Sequence, residues 1–317
     1  MKALFFDHFG DSDVLEYGEL PEPVITKKDL LLKMEYIGLN YADIYRRRGT
    51  YHIEKHSPFI NGYEGAGTIV ALGSEVTSDF KIGDKVLFVD VPFSNAELVA
   101  VPEENAIKIP DDLDLKLVAS IGLQGLTADF LAQDLGDMTK DRDVFVHGIS
   151  GGVGQILSQM LTADGLNVYG VTSSHEKQQL ALDQGAKKVF LRKTDWQKDY
   201  ISYFDTVYDG VGITITDSIR LLKNRGKLVF FGMAGGIPPA VDLVELLSQS
   251  KSILTGDLWD YLTSAAERKE RSERLFDYFR KGKIAISEPT IFPLSKGKEA
   301  HDFLESGKSI GKILLKP

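Results

Sequence analysis

The chain has 317 residues, 43% of them hydrophobic and 26% charged, which gives room for about two globular domains. Its formal net charge of -9 argues against nucleic acid as the main partner, because phosphate contacts need a basic face. It contains no cysteine, and that excludes disulfides, thiol catalysis and thiolate zinc sites at once.

The first residues, Met1-Lys2-Ala3-Leu4-Phe5-Phe6-Asp7-His8, turn charged too early for the apolar core of a signal peptide. No apolar run approaches the ~20 residues that a membrane-crossing helix needs, so no membrane partner is expected and the expected compartment is the cytoplasm. Up to about residue 120 the chain alternates in short runs cut by glycine and proline, among them Leu30–Met34, Gly67–Ala71 and Asp84–Val89. This is the pattern of a mostly β domain. The basic run Arg46-Arg47-Arg48 reads as a solvated loop or, as the second choice, as a site for an anionic substrate tail such as a CoA phosphate. Tyr36, Tyr41, Tyr45, Tyr51 and Tyr63 cluster in the same part. A phenol donates a hydrogen bond or a proton near neutral pH, although each tyrosine alone reads first as a packing residue.

Past residue 120 apolar strands alternate with helical stretches. Strands are predicted over 143–147, 166–171, 187–191, 205–209, 226–231 and 252–255, and six such runs imply a doubly wound parallel sheet. Gly185 closes a helix from Glu176 to Gln184, and Gly226 closes one from Asp217 to Asn224. On a late helix Glu267 with Arg271 and Glu270 with Arg274 stand four apart, as on a solvated face. From Ile284 on, short strands return with one helix around Glu299 to Glu305. The parsimonious arrangement is a nucleotide-binding domain over 121–257, inserted into a β domain made from 1–120 and 258–317.

The most informative segment is Asp143-Val-Phe-Val-His147-Gly148-Ile-Ser-Gly151-Gly152-Val153-Gly154. A buried strand, a glycine turn, a helix with Val153, Ile156, Leu157, Met160 and Leu161 on one buried face, and a second strand form one unit. Such a unit aims backbone N–H groups of a helix N-terminus at a pyrophosphate. The second strand ends in Thr172-Ser173-Ser174-His175-Glu176-Lys177, without the carboxylate that an NAD-preferring site places there. Hydroxyls and a lysine suit a 2′-phosphate, so NADPH is the expected cofactor. Ser174 is also a plausible N-cap of the next helix.

A dehydrogenase must stabilise negative charge developing on the substrate oxygen. A metal could do so, but His8, His52, His56, His147, His175 and His301 form no pair at metal spacing on a helix, so no metal site is expected. Phenols and hydroxyls are the remaining donors.

With these residues in view, nearly the whole chain resembles the medium-chain dehydrogenase/reductase superfamily, and within it the zinc-free quinone oxidoreductase, or zeta-crystallin-like, branch. The resemblance is carried by Gly38-Leu-Asn40-Tyr-Ala-Asp-Ile-Tyr45, Gly62-Tyr-Glu-Gly-Ala-Gly67, Gly83-Asp-Lys-Val86, Gln124-Gly-Leu-Thr-Ala128, the Gly148–Gly154 turn, Tyr208-Asp-Gly-Val-Gly212 and the tail Leu304–Lys312. It implies a Rossmann-type doubly wound sheet inserted into a GroES-like catalytic domain, with two copies paired as a homodimer. It also implies NADPH-dependent reduction of a small-molecule quinone or α,β-unsaturated carbonyl. In zinc-dependent relatives Asn40 is a cysteine ligand and Tyr63 a histidine ligand, so both ligands are replaced here.

Carried over, the resemblance puts Asn40 and Thr127 beside the nicotinamide and its ribose, and Gly151, Gly152 and Val153 along the pyrophosphate. Ser173, Ser174 and Lys177 would meet the adenosine phosphate. Phe231, Gly232 and Met233 would pass the nicotinamide half, Lys312 would make a C-terminal cofactor contact, and Tyr45 and Tyr51 would line the substrate pocket. With Asn40 they are the candidate catalytic groups. Relatives carry an Asn-Tyr pair after the third strand where this chain has Leu191-Arg192, and an arginine can pair with the phosphate directly. Two alternatives stand beside this reading. One is an enoyl-thioester (enoyl-CoA or carrier-protein) reductase, supported by the arginine run. The other is a protein that binds or senses NADPH, or binds RNA, without turnover, and the net charge speaks against RNA.

Overall fold

The computed structural model describes residues 1–317. The N-terminal part supplies β1 (Lys2–Phe6), β2 (Glu16–Glu19), β3 (Asp29–Leu39), α1 (Tyr41–Arg47), β4 (Phe59–Ile60), β5 (Gly65–Leu72), β6 (Lys85–Phe88), β7 (Leu98–Pro102), β8 (Ile107–Lys108) and α2 (Leu115–Phe130). The middle supplies β9 (Asp143–His147), α3 (Gly152–Ala163), β10 (Asn167–Thr172), α4 (His175–Asp183), β11 (Lys188–Leu191), β12 (Phe204–Asp209), α5 (Ile215–Leu221), β13 (Leu222–Phe230), α6 (Leu243–Ser248) and β14 (Ser252–Thr255). The chain ends in α7 (Ala265–Arg280), β15 (Thr290–Pro293), α8 (Gly297–Glu305) and β16 (Ile313–Lys316).

Two compact units result. Met1–Leu123, Leu262–Ser272 and Ser287–Pro317 form the first, and Gln124–Tyr261 with Glu273–Ile286 form the second. The segment 258–317, read above as one piece, is thus divided between them.

The first unit is built on a seven-stranded sheet ordered β15-β16-β3-β5-β6-β8, with β7 also paired to β3, and a small β2-β1-β4 sheet. The long strand β3 slips register against β5 at two places, after Leu31 and after Met34, the bulges by which one strand bends to serve several partners. Leu4, Phe6, Leu30, Leu32, Ile37, Ile69, Phe88 and Leu315 fill its core.

The second unit is a six-stranded sheet, β11-β10-β9-β12-β13-β14, with every pair parallel. Strand order reverses between β9 and β12, and the carboxyl ends of those two strands mark the crevice where such sheets take ligands. Phe145, Phe190, Trp196, Phe204 and Leu228 form its core. The GroES-like and Rossmann-type architecture expected from the sequence is present.

Four local expectations are corrected. The helix before β13 stops at Leu221, and Gly226 lies inside the strand. Lys223–Gly226 bulge out between the Phe204–Leu222 and Thr206–Lys227 pairs, and Arg225, not the glycine, takes the positive φ of 68°. Helix α3 is buried on all sides from Gly154 to Leu161 rather than on one face. That is possible because Gln155 donates to the Ser150 carbonyl at 3.2 Å and Gln159 exchanges bonds with the backbone of Ala285 at 2.8 and 2.9 Å. The arginines of α7 are not a solvated face either. Arg268 and Arg271 are buried, Arg268 reaches Asp90 at 2.6 Å, and Arg274 grips both oxygens of the buried Asp129 at 2.6 and 2.7 Å. Finally, the stretch Leu115–Leu135 is helical and both long and apolar enough to cross a bilayer, with 72% of it buried inside the protein, as the core helix of a globular fold would be.

Candidate active site

In the second unit the site begins where β9 ends. Gly148 turns the chain with φ at +62°, and the Gly151 N–H closes the turn onto the Gly148 carbonyl at 2.8 Å. A side chain at Gly154 would overlap that carbonyl, and one at Gly152 would overlap the Gln124 carboxamide, so the spacing of glycines is required by close approach. Gly151 is the N-cap of α3 and offers no side chain to cap it. The N–H groups of the first turn are therefore left for an anion, and the helix dipole favours one.

At the end of β10, Ser150 and Thr172 share a hydroxyl hydrogen bond of 2.7 Å. Ser174 caps α4 by accepting from the Lys177 N–H at 3.3 Å, while Ser173 is exposed. The Lys177 side chain is largely buried, and burial first, then the charge of Arg192, pushes its pKa down. A lysine in the first turn of α4 and an arginine just after β11, close enough for their charges to oppose each other, suit a phosphate dianion. Arg192 itself is exposed and is tied by its N–H to the Thr172 carbonyl at 2.8 Å.

Across the switch point β12 ends at Asp209, a fully buried carboxylate. It accepts from the Val211 and Gly212 N–H groups at 2.8 and 3.1 Å and from the Thr214 and Ser218 hydroxyls, each at 2.7 Å. Ser218 in turn meets His147 Nε2 at 2.9 Å. Burial pushes the His147 pKa down, and the ring braces the turn through Ser218. The Asp209 carbonyl accepts from the Phe231 N–H at 3.0 Å and the Gly210 carbonyl from Ala234, which lays Phe231, Gly232 and Met233 along this turn. Thr127 is half-buried on α2.

In the first unit Asn40 is the N-cap of α1, and its backbone N–H is held by Asp43 Oδ2 at 2.9 Å, one half of a capping box. Its carboxamide is held from both ends. Nδ2 donates to Glu64 Oε2 at 2.8 Å, and Oδ1 accepts from Lys312 Nζ at 2.9 Å. Lys312 also contacts Glu64 Oε2 at 2.5 Å, and Glu64 Oε1 accepts the Leu123 N–H at 2.7 Å. Lys312, expected to meet the cofactor, is thus turned inward with 2% exposure.

Two arginines of the run are turned inward, and the third, Arg48, is exposed and paired with Asp11 and Glu305. Arg46 and Arg47 are buried. Arg47 reaches Glu305 at 2.9 Å and His301 Nδ1 at 3.0 Å. Arg46 reaches Asp43 at 3.2 Å and donates from Nε to the His52 carbonyl at 3.1 Å. Its guanidinium lies 3.8 Å from the centre of the Tyr63 ring and 5.1 Å from that of Tyr51. Tyr45 stands 6.5 Å from Tyr51, edge to face. Burial pushes the Asp43 carboxyl up against the pull of Arg46, and pushes the Tyr63 phenol up as well.

Glu64 and Asp43 were absent from the sequence-based candidates, and Arg46 entered only as part of the basic run, in a different role. Glu64 had a signal, an acidic residue between a tyrosine and the small residues of β5. Asp43 stands three residues after Asn40, the spacing of a capping box. Arg46 had none for this role.

The family described as alcohol dehydrogenase GroES-like domain matches residues 26–111, and that described as zinc-binding dehydrogenase matches residues 152–267. A probable quinone oxidoreductase of Schizosaccharomyces pombe is 35% identical over 314 residues, 96% of this chain and 94% of that protein. The chain belongs to the quinone oxidoreductase branch of the medium-chain dehydrogenase/reductase superfamily. A 2-haloacrylate reductase of Burkholderia is 31% identical over 90% of both chains. The crystal structure of Escherichia coli quinone oxidoreductase complexed with NADPH matches with a TM-score of 0.94 and 28% identity, covering both chains completely.

The zinc named in one family description does not fit these residues. The Lys312 ammonium already occupies the Asn40–Glu64 pair, where it would repel a dication, and no group of three or more His, Asp or Glu is gathered to hold a metal.

Proposed function

We propose that this protein is an NADPH-dependent, zinc-independent reductase of quinones or α,β-unsaturated carbonyls. The observation that carries the reading is the uncapped, glycine-lined start of α3, beside a β10 end where Lys177 opens α4 and the Arg192 N–H is tied to the Thr172 carbonyl. Relatives named for quinone and 2-haloacrylate reduction, and a structural neighbour holding NADPH, support it. In this reading Gly151, Gly152 and Val153 receive the pyrophosphate, and Ser173, Ser174, Lys177 and Arg192 the adenosine phosphate. Asn40, Thr127, Phe231, Gly232 and Met233 serve the nicotinamide half. When bound, NADPH supplies the hydride. Tyr45 and Tyr51 are the candidate donors to the acceptor oxygen, and Lys312, with Glu64, fixes the direction of the Asn40 amide instead of touching the cofactor.

The enoyl-thioester reading loses its main support, because Arg46 and Arg47 are engaged inside the protein and the exposed Arg48 is paired with Asp11 and Glu305. Pairing of two copies is part of the proposal. Leu243, Val244 and Leu247 of α6 are each more than two-thirds exposed, near the edge strand β14, a set of apolar side chains suited to burial against a second copy.

The test is loss of nicotinamide absorbance with NADPH or NADH across quinones, enones and enoyl-CoA esters, with and without chelator. NADPH-preferring, chelator-insensitive turnover of quinones or enones is expected. Turnover of enoyl-CoA alone would replace the reading, and tight NADPH binding without any turnover would make the protein a sensor.

A further inference from the structure

We propose that Arg46 is a positioning residue that holds Tyr51 and makes its phenol an effective proton donor. The proposal rests on the reading of Tyr51 as donor to the acceptor oxygen.

Tyr51 lies between α1 and β4, outside any regular element, and an aromatic side chain there needs an anchor to point in one direction. Arg46 provides it. Its Nε fixes the carbonyl of the next residue, His52, at 3.1 Å, and its guanidinium faces the Tyr51 ring at 5.1 Å. The His52 ring packs on Tyr51 at 4.4 Å, and Tyr45 meets it edge to face at 6.5 Å. Arg46 is itself held rigidly, by Asp43 below and by the Tyr63 ring at 3.8 Å. A guanidinium 98% removed from solvent acts through a lower dielectric than water, so its charge is felt at the phenol.

In the step served, the Tyr51 O–H bond breaks and its proton passes to the acceptor oxygen. The electron pair left on Tyr51 forms a phenolate, which water later reprotonates, while the acceptor carbon takes the hydride. Arg46 stabilises the phenolate. The charged and titratable groups facing the ring are Arg46 and Tyr45 from α1 and His52 beside it, while Asp43, paired with Arg46 at 3.2 Å, offsets part of the guanidinium charge.

The test follows the Tyr51 ring carbon by NMR in protein labelled with ¹³C-tyrosine, assigned with Tyr51→Phe, through a pH titration without cofactor. Arg46→Met should move Tyr51 ionisation up by about one pH unit, and Arg46→Lys should recover part of that shift. With NADPH and an enone, Arg46→Met should lower kcat about tenfold with the KM for NADPH unchanged, and should cost nothing further in a Tyr51→Phe background. An unmoved Tyr51 titration in folded Arg46→Lys and Arg46→Met proteins would overturn the proposal. So would independent, multiplying losses in the double variant. Full activity of Tyr51→Phe alone would instead remove the donor role assigned to Tyr51, whatever the titration shows.

Discussion

The Lys312 ammonium lies 2.9 Å from Asn40 Oδ1 and completes a buried triangle with Glu64, joining residues 272 positions apart. A lysine does here what a metal would do elsewhere: it neutralises a buried carboxylate and fixes the direction of a side chain at the start of α1. Removing one partner of such a pair strands the other charge.

Lys312→Met should therefore destabilise the protein by about 3–5 kcal/mol, read from denaturant unfolding. The double variant Lys312→Met/Glu64→Gln should recover much of that loss, because no charge remains unpaired. Equal instability of the two variants would contradict the triangle as described.

At the other end of the chemistry, Lys177→Ala and Arg192→Ala should each raise the KM for NADPH by about tenfold or more and leave that for NADH nearly unchanged, since each cation is worth roughly 1.4 kcal/mol or more toward a phosphate. Added salt should weaken NADPH binding in the wild type more than in the variants. Parallel losses for both cofactors would show that these residues support the fold and not the 2′-phosphate.

Gly154→Ala tests the turn. The added methyl meets the Gly148 carbonyl, so the loop must shift. NADPH affinity measured by fluorescence should fall by at least about tenfold, with the rest of the fold intact by circular dichroism. Gly282→Ala, where the added methyl meets nothing within 4 Å although φ is +63°, should leave NADPH affinity as it is.

Much of this was legible in the chain and some was not, for physical reasons. The six strands of the second unit and the Gly148–Gly154 turn are local patterns, set by apolar runs and by backbone that only glycine permits, and they fall where the sequence puts them except that β13 starts early, at Leu222. The arginines are the opposite case. Whether Arg47 is solvated depends on His301 and Glu305, some 254 and 258 residues away, and no local window contains them. Lys312 is similar: the tail motif locates the lysine, but only the β16–β3 pairing turns it toward Asn40 and Glu64. Helix α3 misleads because its glutamines and serine find partners inside, so a polar face is buried as fully as an apolar one.

His301 gives a pH prediction. Burial first, then the adjacent Arg47, holds its pKa down at about 3. In the unfolded chain it takes a proton near its ordinary value of 6.5, so the stability contributed by its neutral form is present above that pH and lost as pH falls toward 3. The loss should approach about 1.4 kcal/mol per pH unit in that window. Denaturant unfolding from pH 7 to 4 should show a shallower decline for His301→Asn than for wild type. A parallel decline would mean the ring is protonated in the folded state.

The most direct test of the central claim is reduction of an enone by NADPH carrying deuterium at the transferable C4 position, followed by mass spectrometry or NMR of the product. Hydride transfer predicts one deuterium at the β-carbon of the saturated product, unchanged by chelator, with NADPH consumed mole for mole. Product lacking deuterium, or NADPH left unconsumed against every quinone and enone, would contradict it.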